Sequence, residues 1–271
     1  MMVAELSPPV AVENIQLNLK QKINTKGRDI RGCTLLPDGR MVFSCYSSDT
    51  VRFINTEGVE LFQIGKDKND TYDTVYIKDN NSVAVSSGGG GKKCITIIDI
   101  ESQKVMTTIP MDTGIAGMAV RGRTIYYCTN GEGLNALNLS DRSVSDIIRS
   151  SMLGVHYVAT SGDKLYYTKT ITNTVTCCDL HGTTQWEFKD NRVLQCPCGI
   201  SIDNDGNVYV VGYSTNNIVV ISPDGQRHRQ VLSSKDGLSK PIVLHYDIST
   251  YRLLVVNSSC TAFLSDVIRG Q

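Results

Sequence analysis

Short apolar runs separated by turn residues fill most of this chain. In one stretch, the runs 200–202, 208–211 and 218–221 are rich in Ile and Val, and the turns 203–206 and 223–225 between and after them both end in Asp-Gly. β-Branched runs bounded in this way predict strands joined by hairpins, because Gly, Asn and Asp tolerate the positive φ that tight turns require. No window sustains the helical spacing of apolar residues together with capping residues. We therefore expect an all-β protein.

The pattern repeats along the chain. Residues 32–58 and 199–225 align without a gap, and they share glycines at both ends and the Asp-Gly turn between. A third copy covers residues 156–182, and weaker copies begin at Thr74, Gly117 and Val243. The six starting points lie roughly 40 residues apart, which is the length of a four-stranded propeller blade. The repeats therefore predict a six-bladed β-propeller whose blades are four-stranded and antiparallel.

The two ends of the chain have complementary deficits. Five copies carry a fourth, outer strand, at 59–64, 104–109, 143–148, 183–188 and 227–232, but few residues follow the third strand of the last copy at 261–264. Near the other end, Ile15, Leu17 and Leu19 alternate with polar residues, as in a half-buried strand without a partner. We expect this N-terminal strand to close the last blade and to cover its open edge. Residues 1–11 are expected to be a disordered leader and residues 12–271 a single propeller domain.

Composition narrows the function classes. The chain has 27 Lys and Arg against 27 Asp and Glu, with 41% hydrophobic and 20% charged residues. Zero net charge argues against a surface that is basic throughout, although it permits a local basic patch. No apolar run is long enough to span a membrane, and the first nine residues lack the apolar core of a signal peptide. Nine cysteines without regular spacing indicate buried thiols in a reducing compartment, so we expect a cytoplasmic protein without membrane attachment.

Several local motifs resemble chemical sites but are better explained as structure. Cys196 and Cys198 flank Pro197 without the spacing of a zinc or thioredoxin-type motif, so a structural loop is expected. The glycine-rich run 86–93 lies between two strands and lacks the Gly-Lys-Ser/Thr end of a phosphate loop, which indicates a flexible hairpin.

The other candidates are acidic or imidazole side chains. Asp203, Asp205 and Asn207 have the spacing of calcium ligands, but the same positions form a turn in the copy at 36–40, so we expect a turn rather than a calcium site. His156 and His245 fall on innermost strands and can face the central channel, although no carboxylate or nucleophile stands beside either in the pattern. We expect no catalytic residues, no metal site and no cofactor.

The stretch 197–225 resembles an NHL repeat, through Pro197, Gly199, Asp203, Gly206, Asn207, Tyr209, Val210, Asn216, Asn217 and Gly225. The acidic residue that usually follows the second strand is Cys45 in the first copy and Gly212 in the fifth, and the other copies have diverged further. The chain as a whole is similar to the C-terminal propeller of tripartite-motif (TRIM-NHL) proteins, in particular the invertebrate, mollusc-like set with B-box or RING domains. The resemblance implies the target-recognition domain of a ubiquitin ligase. The Cys/His spacings of a RING or B-box are missing here, so this chain alone is not expected to ligate ubiquitin.

Three functions remain open. The first is a monomeric, non-catalytic propeller that binds a protein partner or ubiquitination substrate. The second is single-stranded RNA binding, which some propellers of the resembled family perform; here Tyr46, Tyr72 and Tyr213 could stack bases, but basic residues only slightly outnumber acidic ones in the relevant loops. The third is a lactonase-like or lyase-like enzyme, which needs an acid-base or metal cluster that the sequence does not display.

Recognition is expected on the face that carries the loops between second and third strands, because rigid scaffolds place binding residues on irregular loops. The predicted partner-binding residues are Tyr46, Ser47, Lys92, Lys93, Tyr213, Ser214 and Asn216.

Overall fold

The computed structural model describes residues 12–65, 70–88, 91–129, 133–149 and 155–270. These residues form 24 strands in six separate four-stranded antiparallel sheets, which confirms the six-bladed propeller. The leader predicted at residues 1–11 lies outside the described residues. Four single-turn 3-10 helices are also present, at Val12–Asn14, Tyr46–Ser48, Lys78–Asn80 and Ser234–Asp236.

Five blades follow the chain from the innermost to the outermost strand. Blade I contains β2 (Ile30–Leu35), β3 (Met41–Cys45), β4 (Thr50–Ile54) and β5 (Glu60–Gly65); blade II contains β6 (Thr71–Ile77), β7 (Ser82–Ser87), β8 (Cys94–Asp99) and β9 (Lys104–Pro110); blade III contains β10 (Ile115–Arg121), β11 (Thr124–Thr129), β12 (Gly133–Asn138) and β13 (Val144–Arg149).

The remaining blades complete the ring. Blade IV contains β14 (Val155–Ser161), β15 (Lys164–Lys169), β16 (Thr174–Asp179) and β17 (Thr184–Phe188); blade V contains β18 (Pro197–Ile202), β19 (Val208–Gly212), β20 (Asn217–Ile221) and β21 (His228–Leu232); blade VI contains β22 (Pro241–Asp247), β23 (Arg252–Asn257), β24 (Thr261–Arg269) and, as its outermost strand, β1 (Ile15–Asn24). The five outer strands predicted from the sequence agree with the observed strands to within one residue at each end.

The second and third strands of each blade are covered on both faces. All five residues of β3, of β19 and of β20 are buried, whereas residues of the outermost strand β5 alternate between partly buried and exposed. This gradient follows from packing blades face against face around an axis, because only the outermost strand has a solvent-facing side. It explains why consecutive residues in the central strands of the repeats are apolar, instead of alternating with polar residues.

Three glycines permit close contact between neighbouring innermost strands. A Cβ at Gly32 would lie 2.6 Å from the Cα of Asp73, and a Cβ at Gly117 would lie 2.5 Å from the Cα of Tyr157. Gly199 shows the same relation to Val243, at 2.6 Å. These distances are shorter than any Cβ contact allows, so blades I, III and V each need glycine where the next blade approaches.

Short polar side chains also link adjacent innermost strands. Thr34 of blade I donates to the carbonyl of Thr74 in blade II (2.6 Å), and Ser201 of blade V accepts from the backbone N–H of Tyr246 in blade VI (3.0 Å). Because these groups are buried, each bond satisfies a polar atom that water cannot reach.

The ring closes through the pairing of β1 with β24, as the sequence predicted. The antiparallel register runs from Ile15 opposite Arg269 to Asn24 opposite Thr261, with a bulge between Leu19 and Gln21. The pairing is longer than the expected segment 261–264. One detail of the prediction is wrong: Leu19, expected on the buried face, is 46% exposed. It lies on the outermost strand next to the bulge, where the register shifts.

Two further contacts join blade VI to its neighbours on either side. On the inner side, the backbone N–H of Leu35 in blade I donates to Nδ1 of His245 in blade VI (3.2 Å). Burial lowers the pKa of His245, which keeps Nδ1 available as an acceptor at neutral pH. On the outer side, Arg229 of blade V donates to the carbonyl of Ile15 (3.1 Å).

The pairing of β1 with β24 predicts which backbone N–H groups of β1 contribute to stability. Gly270 donates to the carbonyl of Asn14 (2.9 Å), so residues 14 and 270 form a hydrogen-bonded pair, and alternation places the N–H of Asn18 toward β24 and that of Leu17 away from it. Asn18→Pro should therefore destabilise the fold by about 2–3 kcal/mol, or about 4–12 °C in melting temperature.

Leu17→Pro serves as the matched control, because its ring replaces an N–H that makes no bond to β24. It should shift the melting temperature clearly less than Asn18→Pro when both are followed by circular dichroism. Equal melting of the Asn18→Pro variant and the unmodified protein would show that this pairing does not close the ring.

Candidate functional site

An axial cavity opens on the face that carries the second-to-third-strand loops, which we call the loop face. Its volume is about 230 Å³. The loop face includes residues 46–49, 170–173, 213–216 and 258–260, together with the connections between blades. The cavity is lined by Asp29, Arg31, Tyr72, His156, Tyr157, Thr170, Cys196, Cys198, Tyr213, Ile242 and Ser258.

A recurring backbone turn positions the cavity walls. Just before the innermost strands of blades I, II, V and VI, one residue other than glycine has a positive φ: Asp29 at 52°, Asp70 at 51°, Cys196 at 51° and Lys240 at 47°. The residue two positions later lines the cavity in all four blades, as Arg31, Tyr72, Cys198 and Ile242. Each turn thus directs one side chain of its blade toward the axis.

The guanidinium of Arg31 is the cation of the cavity wall. Its Nε lies 2.9 Å from a carboxylate oxygen of Asp29, and its centre lies 5.5 Å from the ring centroid of Tyr46 and 5.9 Å from that of Tyr72. The carboxylate compensates the charge, and the two rings cover the guanidinium. The cavity therefore offers a hydrogen-bonding edge, with its positive charge already paired.

Aromatic side chains form one wall. The rings of Tyr72 and Tyr157 have centroids 5.9 Å apart, and the Tyr157 hydroxyl donates to the carbonyl of Arg31 (2.8 Å). The Tyr72 hydroxyl lies 3.3 Å from Nδ1 of His156. Burial raises the pKa of Tyr72 to about 12, and burial together with the charge of Arg31 lowers the pKa of His156. At neutral pH the two groups are therefore an uncharged hydrogen-bonded pair.

Cys196 and Cys198 form another part of the wall. Cys198 is buried and Cys196 is partly exposed. The backbone N–H of Cys196 donates to the side-chain oxygen of Asn173 (2.8 Å), and its carbonyl accepts from the N–H of Tyr213 (3.2 Å). The loop is therefore fixed by neighbours on both sides, as the expected structural role requires, but both sulfur-bearing side chains reach the cavity.

A buried carboxylate lies in the ring beside this wall. Asp73 accepts from the backbone N–H groups of Thr74 (2.8 Å) and of Met118 in blade III (2.7 Å). Its own N–H donates to Ser86, whose hydroxyl donates to the carbonyl of Ala116 (2.7 Å). Burial nevertheless raises the pKa of Asp73 to about 7. Sequence analysis did not identify Asp73 as a candidate, because an Asp in a strand is usually exposed.

The predicted binding residues separate into four groups, of which Lys92 and Lys93 form the last. Tyr213 lines the cavity, and Tyr46 lies behind it, with its ring edge-on to Tyr72 at 6.4 Å. Ser47 and Ser214 are exposed on the loop face. Asn216 has a structural role, since its side-chain oxygen accepts from the N–H of Lys240 in the next blade (2.6 Å).

Lys92 and Lys93 are exposed on the β7–β8 loop and are not part of the cavity lining. The Lys93 ammonium donates to the carbonyl of Asp112 (2.9 Å), which holds it beside blade II. Sequence reasoning missed Arg31, Tyr157 and Cys198 as cavity residues. For Arg31 and Cys198 the signal is the positive-φ turn two residues earlier, which cannot be recognised from the sequence where the turn residue is not glycine.

The Asp203 motif has a structural role, whereas the glycine-rich hairpin predicted at 86–93 includes residues 89 and 90, which lie outside the described residues. One carboxylate oxygen of Asp203 accepts from the N–H groups of Asp205 and Asn207, both at 2.9 Å, and the other accepts from the Asn207 amide (3.0 Å). This is the predicted turn chemistry. Among the described residues, no group of three or more His, Cys, Asp or Glu side chains is arranged to hold a metal ion. No helix in the described part of the chain is long and apolar enough to cross a membrane.

Comparison with known proteins supports a propeller. Residues 197–218, the first two strands of blade V, match a family model described as a β-propeller repeat (SBBP). The chain is also similar to mouse E3 ubiquitin-protein ligase TRIM56, with 32% identity over 72 residues. That match covers 26% of this chain and only 10% of the relative.

Solved structures share the whole fold at low sequence identity. A protein of unknown function from Bacteroides thetaiotaomicron superposes with a TM-score of 0.78 at 12% identity, over 94% of this chain and 76% of that chain. A streptogramin B lyase matches with a TM-score of 0.67 at 14% identity, over 95% of this chain and 99% of that chain. Virginiamycin B lyase from Staphylococcus aureus matches with a TM-score of 0.67 at 14% identity, over 94% of this chain and 100% of that chain. At such identities the likeness shows the fold alone.

The buried carboxylate predicts a specific pH dependence. Because the pKa of Asp73 in the fold lies above that of an unfolded Asp, the folded state binds the extra proton and loses stability as pH rises from about 4 to 7. The free energy of unfolding, measured by urea titration, should fall relative to that of Asp73→Asn by up to about 4 kcal/mol over this interval. A difference between the two proteins that is constant with pH would show that Asp73 is ionised in the fold like an exposed carboxylate.

Proposed function

We propose that this chain is a protein-interaction propeller that binds a protein partner on its loop face and receives a partner side chain in the axial cavity. The observation that carries the proposal is the composition of the cavity wall: Tyr72, Tyr157, Tyr213 and Ile242 supply aromatic and apolar surface, and the charge of Arg31 is paired. Aromatic walls with a few directed polar groups are typical of the pockets that hold interface anchors.

Within this function, we infer a role in target recognition for a ubiquitin ligase of the tripartite-motif type. The partial similarity to mouse TRIM56 and the resemblance of residues 197–225 to an NHL repeat support it. In this role the propeller selects the target, and the ligation chemistry belongs to other domains. We further propose that the propeller acts as a monomer in the cytoplasm, since nine free cysteines suit a reducing compartment.

RNA binding is a weaker alternative because four basic side chains of the loop face are already paired with carboxylates. A phosphate backbone binds by replacing counterions on free Lys and Arg side chains. The ion pairs on this face join Arg31 to Asp29, Arg149 to Asp146, Lys169 to Glu187 and Arg192 to Asp190. An enzymatic role of the lyase kind is supported only by the shared fold and by the Tyr72–His156 pair in the cavity.

Partner capture from a cell lysate tests the proposal. Tyr213→Ala removes an aromatic wall of the cavity, and the loss of such an anchor typically costs about 2 kcal/mol, or roughly 30-fold in affinity. Tyr251→Ala is the matched control, because Tyr251 is 46% exposed in the β22–β23 turn on the opposite face. We expect quantitative mass spectrometry to find the same prey with the unmodified and Tyr251→Ala proteins and to lose it with Tyr213→Ala.

RNase treatment of the same lysate separates protein from RNA recognition. Under the proposal, the prey remains after RNase. Prey that disappears with RNase supports the RNA alternative, and prey retained equally by both tyrosine variants shows that the cavity is not the binding site.

A further inference from the structure

Two of the nine cysteines differ from the rest in their surroundings. Cys33, Cys45, Cys94, Cys128, Cys177 and Cys178 are buried within strands and behave as small apolar residues. Cys196 and Cys198 instead line the axial cavity together. Cys260 is partly exposed, in the β23–β24 loop.

The backbone brings the two side chains to the same side. Cys196 has a φ of 51°, similar to that of Asp29 at the corresponding place in blade I. In blade I the side chains at the first and third positions of this turn touch, since Nε of Arg31 lies 2.9 Å from a carboxylate oxygen of Asp29. In blade V the same turn places two thiols side by side. The Cys198 sulfur lies 3.5 Å from the carbonyl oxygen of Cys196, and its S–H can donate to that oxygen or to the Cys196 sulfur.

The two thiols have different environments, which gives them different roles. The hydrogen bond from Cys198, joined by one from the Ser214 hydroxyl, lowers the pKa of Cys196 despite its partial burial. The same bond and deeper burial raise the pKa of Cys198. Cys196 is thus the more acidic and more accessible thiol of the pair, and Cys198 is its less acidic, buried neighbour. This asymmetry is typical of an attacking and a resolving cysteine.

We propose that Cys196 and Cys198 form a redox-active dithiol in the axial cavity, which hydroperoxides oxidise to an intramolecular disulfide. A cavity of about 230 Å³ admits a molecule the size of hydrogen peroxide, since one water takes up about 30 Å³ in the liquid. Arg31 faces the same space, and its positive charge favours the thiolate of Cys198.

The chemistry takes place in two balanced steps. The Cys196 thiolate attacks the terminal oxygen of the hydroperoxide, so that an S–O bond forms and the O–O bond breaks; the leaving alkoxide or hydroxide takes a proton from water. Cys198 then attacks the sulfenic sulfur of Cys196, and the S–S bond forms as hydroxide leaves and combines with the Cys198 proton as water. Two electrons pass from the dithiol to the peroxide. A reducing compartment returns the pair to thiols.

Peptide mapping by mass spectrometry tests the proposal on the unmodified protein. Alkylation rates measured between pH 5 and 9 should reach half their maximum at a lower pH for Cys196 than for Cys260, because a lowered pKa ionises the Cys196 thiol earlier as the pH rises. Hydrogen peroxide should then convert the peptide with Cys196 and Cys198 to a form lighter by two hydrogens, while the neighbouring buried pair Cys177 and Cys178 stays reduced.

Two variants assign the roles. Cys198→Ser should stop the reaction at a sulfenic acid on Cys196, which dimedone traps, and Cys196→Ser should leave Cys198 as a thiol. Cys260→Ser is the matched control and should form the disulfide as before. The proposal would be overturned if alkylation of Cys196 and Cys260 rose over the same pH range, or if Cys196 and Cys198 remained unlinked after peroxide treatment. Both measurements use the unmodified chain, so they do not depend on the folding of a variant.

Discussion

The backbone pairing of β1 with β24 is the contact on which the rest of this structure depends. Each blade packs its two faces against two neighbouring blades. Every face is therefore covered only if the first and last blades are in contact. Blade VI has three strands from the end of the chain and takes its fourth from the beginning. Without β1, the edge of β24 would be exposed, and the seam between blades VI and I would rest on inner contacts such as that of Leu35 with His245.

Closure also gives the axial cavity its shape. Four of the innermost strands start with the same positive-φ turn, and a closed ring brings the side chains that follow these turns to one axis. The polar groups of the cavity wall mostly pair with one another. Asp29 neutralises Arg31, and Tyr72 and His156 form an uncharged hydrogen-bonded pair. Such a wall suits the proposed partner side chain better than a polyanion. The cysteine pair is the exception, because there the local contacts promote an ionised nucleophile.

Much of the fold could be predicted from the sequence because its determinants are local. Asp-Gly turns and β-branched runs define each strand, the repeat length defines the blade, and the unpartnered Ile15 and Leu17 define the closing strand. The site was harder to predict. Tyr213 could be identified as a cavity residue because it lies in an irregular loop, whereas Arg31, Tyr157 and Cys198 meet only through long-range packing. Asn216 lies in the same kind of loop, but its side chain accepts a hydrogen bond from the next blade.

Native-state hydrogen exchange tests the central role of closure most directly. The amides of Gln16 and Asn18, which the register directs toward β24, can be compared with those of Val219 and Val255 in buried central strands. If closure holds the ring together, all four exchange only through global unfolding and show the same free energy of opening and the same dependence on denaturant. If Gln16 and Asn18 exchange through a much smaller opening while Val219 and Val255 stay protected, β1 detaches from a ring that remains folded, and the account is contradicted.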